Sequence, residues 1–325
     1  MKPAFSVIFL TTLIGAGQGL FLAYFSVEIF YVLSILPDRL VDADALTAAV
    51  LCLLLLVAGL AASFFHLGHP ERAWRAAAMW RTSWLSREVI ALPLTMAAVF
   101  AYAALKYTGN SSIVFELTSG RSVELATLVG LFASASIFGL FICTAMIYSS
   151  LKFLRQWHSP LTVLNFFLMG CASGFTLAAV LSVINDDGFF GYFSGASVFF
   201  GVVALASRYA SLLRNKNLRS PSTLQSAIGV RHPNIRQLAQ GAMGGSFNTR
   251  AFIHSYGASV VLLARRYFLL AGFILPVLLM IASGPSSLLL CALALALQYS
   301  GLLVERWYFF IEAEHPQNVY YQMIS

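Results

Sequence analysis

Eight apolar stretches, each about long enough to cross a lipid bilayer as a helix, follow one another along this chain with short polar turns between most of them. A bilayer core takes roughly 20 apolar residues per helical span. Apolar windows place the spans at about 5–36, 45–67, 87–106, 124–150, 160–184, 192–213, 266–284 and 286–310. A membrane barrel would need strands of about ten residues with alternating polar and apolar faces, and runs such as Leu51 to Ala62 or Leu288 to Leu297 do not alternate. Composition points the same way. Hydrophobic residues make up 59% of the chain and charged ones 10%, against about 25% charged in globular proteins, which is too little polar surface for a water-soluble particle. The expected fold class is all-α: a polytopic membrane protein, a bundle of eight transmembrane helices.

Lys2 ahead of an apolar run imitates a secretion signal, but 5–36 far exceeds the roughly 7–15-residue core of such a signal and reads as the first span. Cys52, Cys143, Cys171 and Cys291 all lie in apolar spans without paired spacing, so they read as small buried hydrophobes rather than disulfides or metal ligands.

Charge sets the expected orientation, because Lys and Arg near span ends stay in the cytoplasm. With eight spans, the termini and the loops after spans 2, 4 and 6 share one side, and that side holds 17 of the 20 basic residues. The other side has Arg39, Lys106 and Arg121, with seven of the thirteen acids. The expectation is N-in and C-in. The net charge of +7 is thus a topology signal, and no basic stripe on a soluble fold suggests nucleic acid. Residues 1–325 read as a single integral membrane domain without internal repeats, with one long cytoplasmic loop at about 214–265.

The connection between spans 2 and 3 carries the most unusual chemistry: His66-Leu67-Gly68-His69-Pro70-Glu71-Arg72-Ala73-Trp74-Arg75, then Trp80-Arg81-Thr82-Ser83-Trp84-Leu85-Ser86-Arg87-Glu88. Hydropathy puts His66 in the last turn of span 2 and Glu88 in the first turn of span 3. Ionisable groups at membrane depth are costly and usually line a cavity or a proton path, and tryptophans suit the headgroup boundary. A quinone would need such a place: partners for two oxygens, and a source of two protons per redox cycle. Imidazole titrates near neutrality, and a nearby carboxylate can relay protons. By chemistry alone, a lone histidine at a span end such as His66 is more often an interfacial or capping residue, and Glu88 reads equally as the partner of Arg87 and Arg72 in a plain ion pair.

Other polar residues are weaker signals. Gln18 and Glu28 sit within span 1 near small residues that favour close helix packing, and read as helix–helix hydrogen-bonding groups. Glu305 and Arg306 near the end of span 8 read either as support for a site or as an intrahelical or snorkelling pair. Asn248, Arg250 and His254 read as surface loop. No phosphate-binding loop, His-Glu-x-x-His or serine-nucleophile setting occurs. None of the six histidines lies near the centre of a span, which disfavours a haem held between two buried histidines and leaves open one near the cytoplasmic face.

The two stretches from His66 and Trp80 resemble the signature of the DMSO reductase membrane-anchor family. So do Gly245-Ser246-Phe247-Asn248-Thr249-Arg250-Ala251-Phe252-Ile253-His254 and the run from Glu305-Arg306-Trp307-Tyr308 through His315 to Tyr321. The resemblance spans nearly the whole chain. It implies an eight-helix anchor holding a molybdopterin catalytic subunit and an iron–sulfur subunit of four-cluster ferredoxin type at the bacterial inner membrane. Such an anchor exchanges electrons with quinone, ubiquinone or menaquinone. Carried over, the quinone-site residues are His66 and Glu88, with Arg72, Ser86, Arg87, Arg250 and His254 in the matched motifs. Because charge puts the motif-bearing face inside, the chain is most similar in kind to the membrane subunit of a cytoplasmic sulfite dehydrogenase complex, which implies electron flow from sulfite to quinone. A DMSO or polysulfide reductase-type anchor running the other way, a membrane transporter and a purely structural anchor are the competing readings.

Overall fold

The computed structural model describes residues 4–65, 67–109, 112–117, 120–218, 223–236, 238 and 256–315. Eight helices among the described residues are long and apolar enough to cross a membrane: α1 Phe5–Val32, α2 Asp42–Phe64, α3 Trp84–Tyr107, α4 Leu125–Ser149, α5 Pro160–Asn185, α6 Phe190–Lys216, α7 Ala258–Ala282 and α8 Leu288–Ile311. The all-α expectation holds. The one sheet among the described residues is a short antiparallel hairpin, β1 (Ile113–Glu116) and β2 (Ser122–Glu124), closing the α3–α4 connection.

Helix ends differ from the hydropathy windows where local chemistry overrides apolarity. Asp42 and Asp44 open α2, because carboxylates favour the positive end of the helix dipole, and the helix stops at Phe64 rather than 67. Ahead of α3 the chain forms a 3-10 helix, Pro70–Met79, with its proline at the first turn. Helix α7 begins about two turns before the expected 266, since Arg265 and Arg266 sit within it, so the α6–α7 connection is shorter than 214–265. Within α7, Leu270–Ile274 widens into a π turn just before Pro276; proline has no N–H to continue the ladder, and a π turn accommodates the break.

Lipid tails are as apolar as leucine, so spans associate through close packing and interhelical hydrogen bonds. Helix α5 is the most buried span. It meets α1 through glycines: a Cβ on Gly19 would lie 2.1 Å from the Gly170 carbonyl oxygen, and one on Gly174 would lie 2.1 Å from the Gly19 carbonyl carbon. A Cβ on Gly301 of α8 would lie 2.1 Å from the backbone nitrogen of Gly272. Outward-facing Leu54, Phe100, Leu131, Phe199 and Leu278 are exposed, as lipid contact requires. All four cysteines are free, and three are buried.

At the end of the bundle bearing the α1–α2 and α3–α4 connections, polar groups lace the spans. Glu28 of α1 accepts from Tyr102 of α3 and Thr127 of α4, each at 2.7 Å. Lys106 lies 3.2 Å from Glu28 and 2.9 Å from Asp42 of α2. Arg39 pairs with Glu124 at 2.8 Å; burial would lower its pKa, but Glu124 and Asp42 raise it above the ordinary value. Gln18 donates to the Ile137 carbonyl at 3.4 Å. Both intruders in span 1 therefore bond neighbouring helices.

Candidate functional site: a buried carboxylate beside an apolar cavity

Helix α3 starts at a serine cap. The Ser83 hydroxyl accepts from the Ser86 N–H at 3.4 Å, which satisfies one of the donors left free at a helix start. Arg87 fixes the same turn: Nε donates to the Trp80 carbonyl at 2.9 Å and Nη2 to the Arg81 carbonyl at 2.8 Å, while its guanidinium lies 4.1 Å from the Trp84 ring centre. With the first turn held, Leu85, Glu88, Val89 and Leu92 share one face by helical spacing.

That face lines a cavity of about 310 Å³. Leu10 of α1, with Leu60, Ser63 and Phe64 of α2, forms the opposite wall; Leu67, Ala73, Trp74 and Ala76 close the end. The volume lies at the small end of the roughly 300–1,000 Å³ typical of ligand pockets. Ser63 spends its hydroxyl on the Leu60 carbonyl at 2.6 Å. Glu88 is thus the ionisable group among the described lining residues. It is 9% exposed and accepts a 2.5 Å hydrogen bond from the Thr144 hydroxyl of α4. Among the described residues it takes part in no ion pair, so the alternative that Arg87 or Arg72 neutralises it does not hold. Leaving a carboxylate so placed is expensive, and the one hydroxyl donor it has among the described residues offsets little of that cost. Phe64, Leu67, Trp74 and Leu85 around the cavity are exposed, giving it an apolar rim.

Of the residues singled out in the sequence, Glu88 reaches the cavity. Ser86 is buried and, with Arg87, builds the turn that aims Glu88. Arg72 stays exposed on the 3-10 helix, 3.6 Å from Glu71, whose carboxylate also lies 3.1 Å from His69 Nδ1. His66, Arg250 and His254 lie outside the described residues; in the chain, His66 stands between Phe64 and Leu67, both of which line the cavity.

A second polar centre, next to α8, is only half visible in the sequence. Glu305, fully buried, lies 2.7 Å from Arg208 Nε of α6 and 2.5 Å from Arg306 Nη2. Arg208, 2% exposed, also meets Glu312 at 3.2 Å, and Arg306 stacks 4.2 Å from the Phe166 ring centre. The intrahelical Glu305–Arg306 pair is one of the two expected alternatives. Arg208 counts in the sequence only as one of the basic residues near the cytoplasmic end of span 6, because its partners are far away along the chain, Glu312 by 104 residues.

A membrane bundle with a carboxylate aimed at an apolar, rim-exposed cavity can hydrogen-bond a flat polar ring arriving from lipid and exchange a proton with it. The chain is 50% identical, over its full length and that of the relative, to a sulfite dehydrogenase subunit of Allochromatium vinosum. The family model for the DMSO reductase anchor subunit matches residues 1–321. With eight spans and a family match that leaves out only the last few residues, the chain belongs to the DMSO reductase anchor subunit family.

Proposed function

We propose that this chain is the membrane subunit of a molybdopterin and iron–sulfur oxidoreductase complex, and that it passes electrons from the partner's iron–sulfur clusters to quinone. The observation that carries the reading is Glu88: a buried carboxylate without an ion-pair partner among the described residues, at an apolar cavity lined in part by Phe64 and Leu67, between which His66 falls in the sequence. Sulfite as the electron source is supported by the relative named above, which favours flow towards quinone over the reverse direction. Among the described residues, other buried charges meet opposite charges, Glu28 with Lys106 and Glu305 with Arg208 and Arg306, an arrangement that favours an anchor over a transport path.

The cavity's apolar walls suit a quinone ring, which accepts two electrons and two protons on becoming quinol. His66 donates a hydrogen bond and then a proton to one ring oxygen. Glu88 accepts a proton from the aqueous side and passes it on, with Thr144 holding the carboxylate in place. Ser86 and Arg87 keep the start of α3 rigid, so the carboxylate needs no reorganisation during turnover. We infer an N-in, C-in arrangement in a bacterial inner membrane, a single membrane domain over 1–325, and docking of the iron–sulfur subunit on the basic face.

Glu88→Gln and His66→Ala, made in the whole complex, test the reading. Removing a positioned acid–base group typically costs about 10²-fold or more in rate, so quinone-linked turnover should fall by that order while dye-linked sulfite oxidation is retained. Normal quinone kinetics in both variants would overturn the assignment.

A further inference from the structure

A second and roomier cavity lies away from Glu88. It is a groove of about 820 Å³ between α4 and α5, at the end of the bundle bearing their connecting turn. On α4 its wall runs from Phe138 through Ile142 to Ser149, about 17 Å of helix axis at roughly 1.5 Å per residue. One leaflet contributes about half of a hydrocarbon core of roughly 30 Å. The groove therefore has the depth of a single acyl layer. Its walls are apolar, and Phe138, Ile142 and Leu164 are exposed to the surroundings at 46%, 46% and 43%.

Its polar end is built differently. Lys152 stands exposed at the mouth beside His158, and none of the described lining residues is acidic. His158 Nδ1 lies 2.6 Å from the Ser149 carbonyl; a carbonyl oxygen only accepts, so that nitrogen carries the proton. Arg214 of α6 donates to the carbonyls of Arg155 and His158, and the Ser149 hydroxyl donates to the Ser159 carbonyl at 2.9 Å. The turn carrying the cation is thus held in place.

We propose that this groove binds one acyl chain of an anionic phospholipid, with the lipid phosphate on the Lys152 ammonium. Groove depth matches the chain, and charge selects the headgroup: lysine near the membrane surface attracts anionic lipid, and none of the described residues lining the groove is acidic. The ammonium of a zwitterionic headgroup would meet Lys152 as a like charge. A quinone tail offers Lys152 no charge to pair with. The proposal is independent of the quinone reading, because the Glu88 cavity is walled by other helices.

The test uses the detergent-purified complex, exchanged into mixed micelles with phosphatidylglycerol or phosphatidylcholine, with retained lipid counted by native mass spectrometry. Phosphatidylglycerol should be retained about fivefold over phosphatidylcholine, the worth of one lysine near an anionic surface. Lys152→Glu should abolish the preference, and Ile142→Trp, which fills the groove from its exposed side, should lower retention. Excess inorganic phosphate should leave the lipid bound. Equal retention of the two lipids, unchanged retention in both variants, or displacement by phosphate or by added quinone would each overturn the proposal.

Discussion

The Thr144 hydroxyl of α4 donates across 2.5 Å to Oε1 of Glu88 on α3, joining two spans beside the α2–α3 cavity. A hydrogen bond to a charged group contributes about 1.5–3 kcal/mol. Thr144→Val should therefore lower the melting temperature of the purified complex and reduce quinone-linked turnover, and Thr144→Ser should restore both. Wild-type turnover in Thr144→Val would show that the hydroxyl does not position Glu88.

Glu305 holds two guanidinium groups at once, Arg208 and Arg306. Removing one partner of a buried pair costs about 3–5 kcal/mol, because the remaining charge is stranded. Glu305→Gln is expected to lose most folded protein on heating in detergent. Adding Arg208→Met should recover part of that loss, since neighbouring groups in one network are not additive. Additive melting shifts for the two changes would contradict the coupling.

The glycine contact between α1 and α5 makes a sharp contrast among glycines. Overpacking typically costs about 1–3 kcal/mol, and Gly19→Ala meets backbone at 2.1 Å rather than a side chain that could move. Gly19→Ala should fall at the upper end of that range or fail to accumulate in membranes. Gly139 and Gly195 have nothing within 4 Å of an added Cβ, so Gly139→Ala and Gly195→Ala should match wild type in a thermal-shift assay.

The inferred orientation predicts a labelling pattern. Asp38 and Arg81 are exposed at opposite ends of the bundle. In intact cells a membrane-impermeant maleimide should label Asp38→Cys and not Arg81→Cys. The reverse pattern would move the Glu88 cavity and the docking face to the other side of the membrane.

Span number and the position of Glu88 are legible in the sequence because both depend on local features: run length for the helices, and for the site a carboxylate where the apolar run of span 3 begins. What is not legible depends on distant partners. Arg208 looks like one more basic residue near a loop until α8 brings Glu305 and Glu312 against it. Gly19 reads as a small residue favouring close packing, but nothing local names Gly170 and Gly174 as its counterparts. The early start of α7 is hidden because Arg265 and Arg266 depress any apolar window, although a helix carries such side chains when their heads reach the polar boundary.

The two ends of the α2–α3 pair are bound unequally. At one end Lys106 ties α3 to Asp42 of α2 and to Glu28 of α1; at the other the pair is parted by the Glu88 cavity and bridged by the 3-10 helix Pro70–Met79. Two rods clamped at one end can spread only at the free one. An occupant that widened the cavity would part the ends of α2 and α3 that this segment joins, so Trp74, exposed and lining the cavity, would register occupancy on the face where a redox partner is proposed to dock.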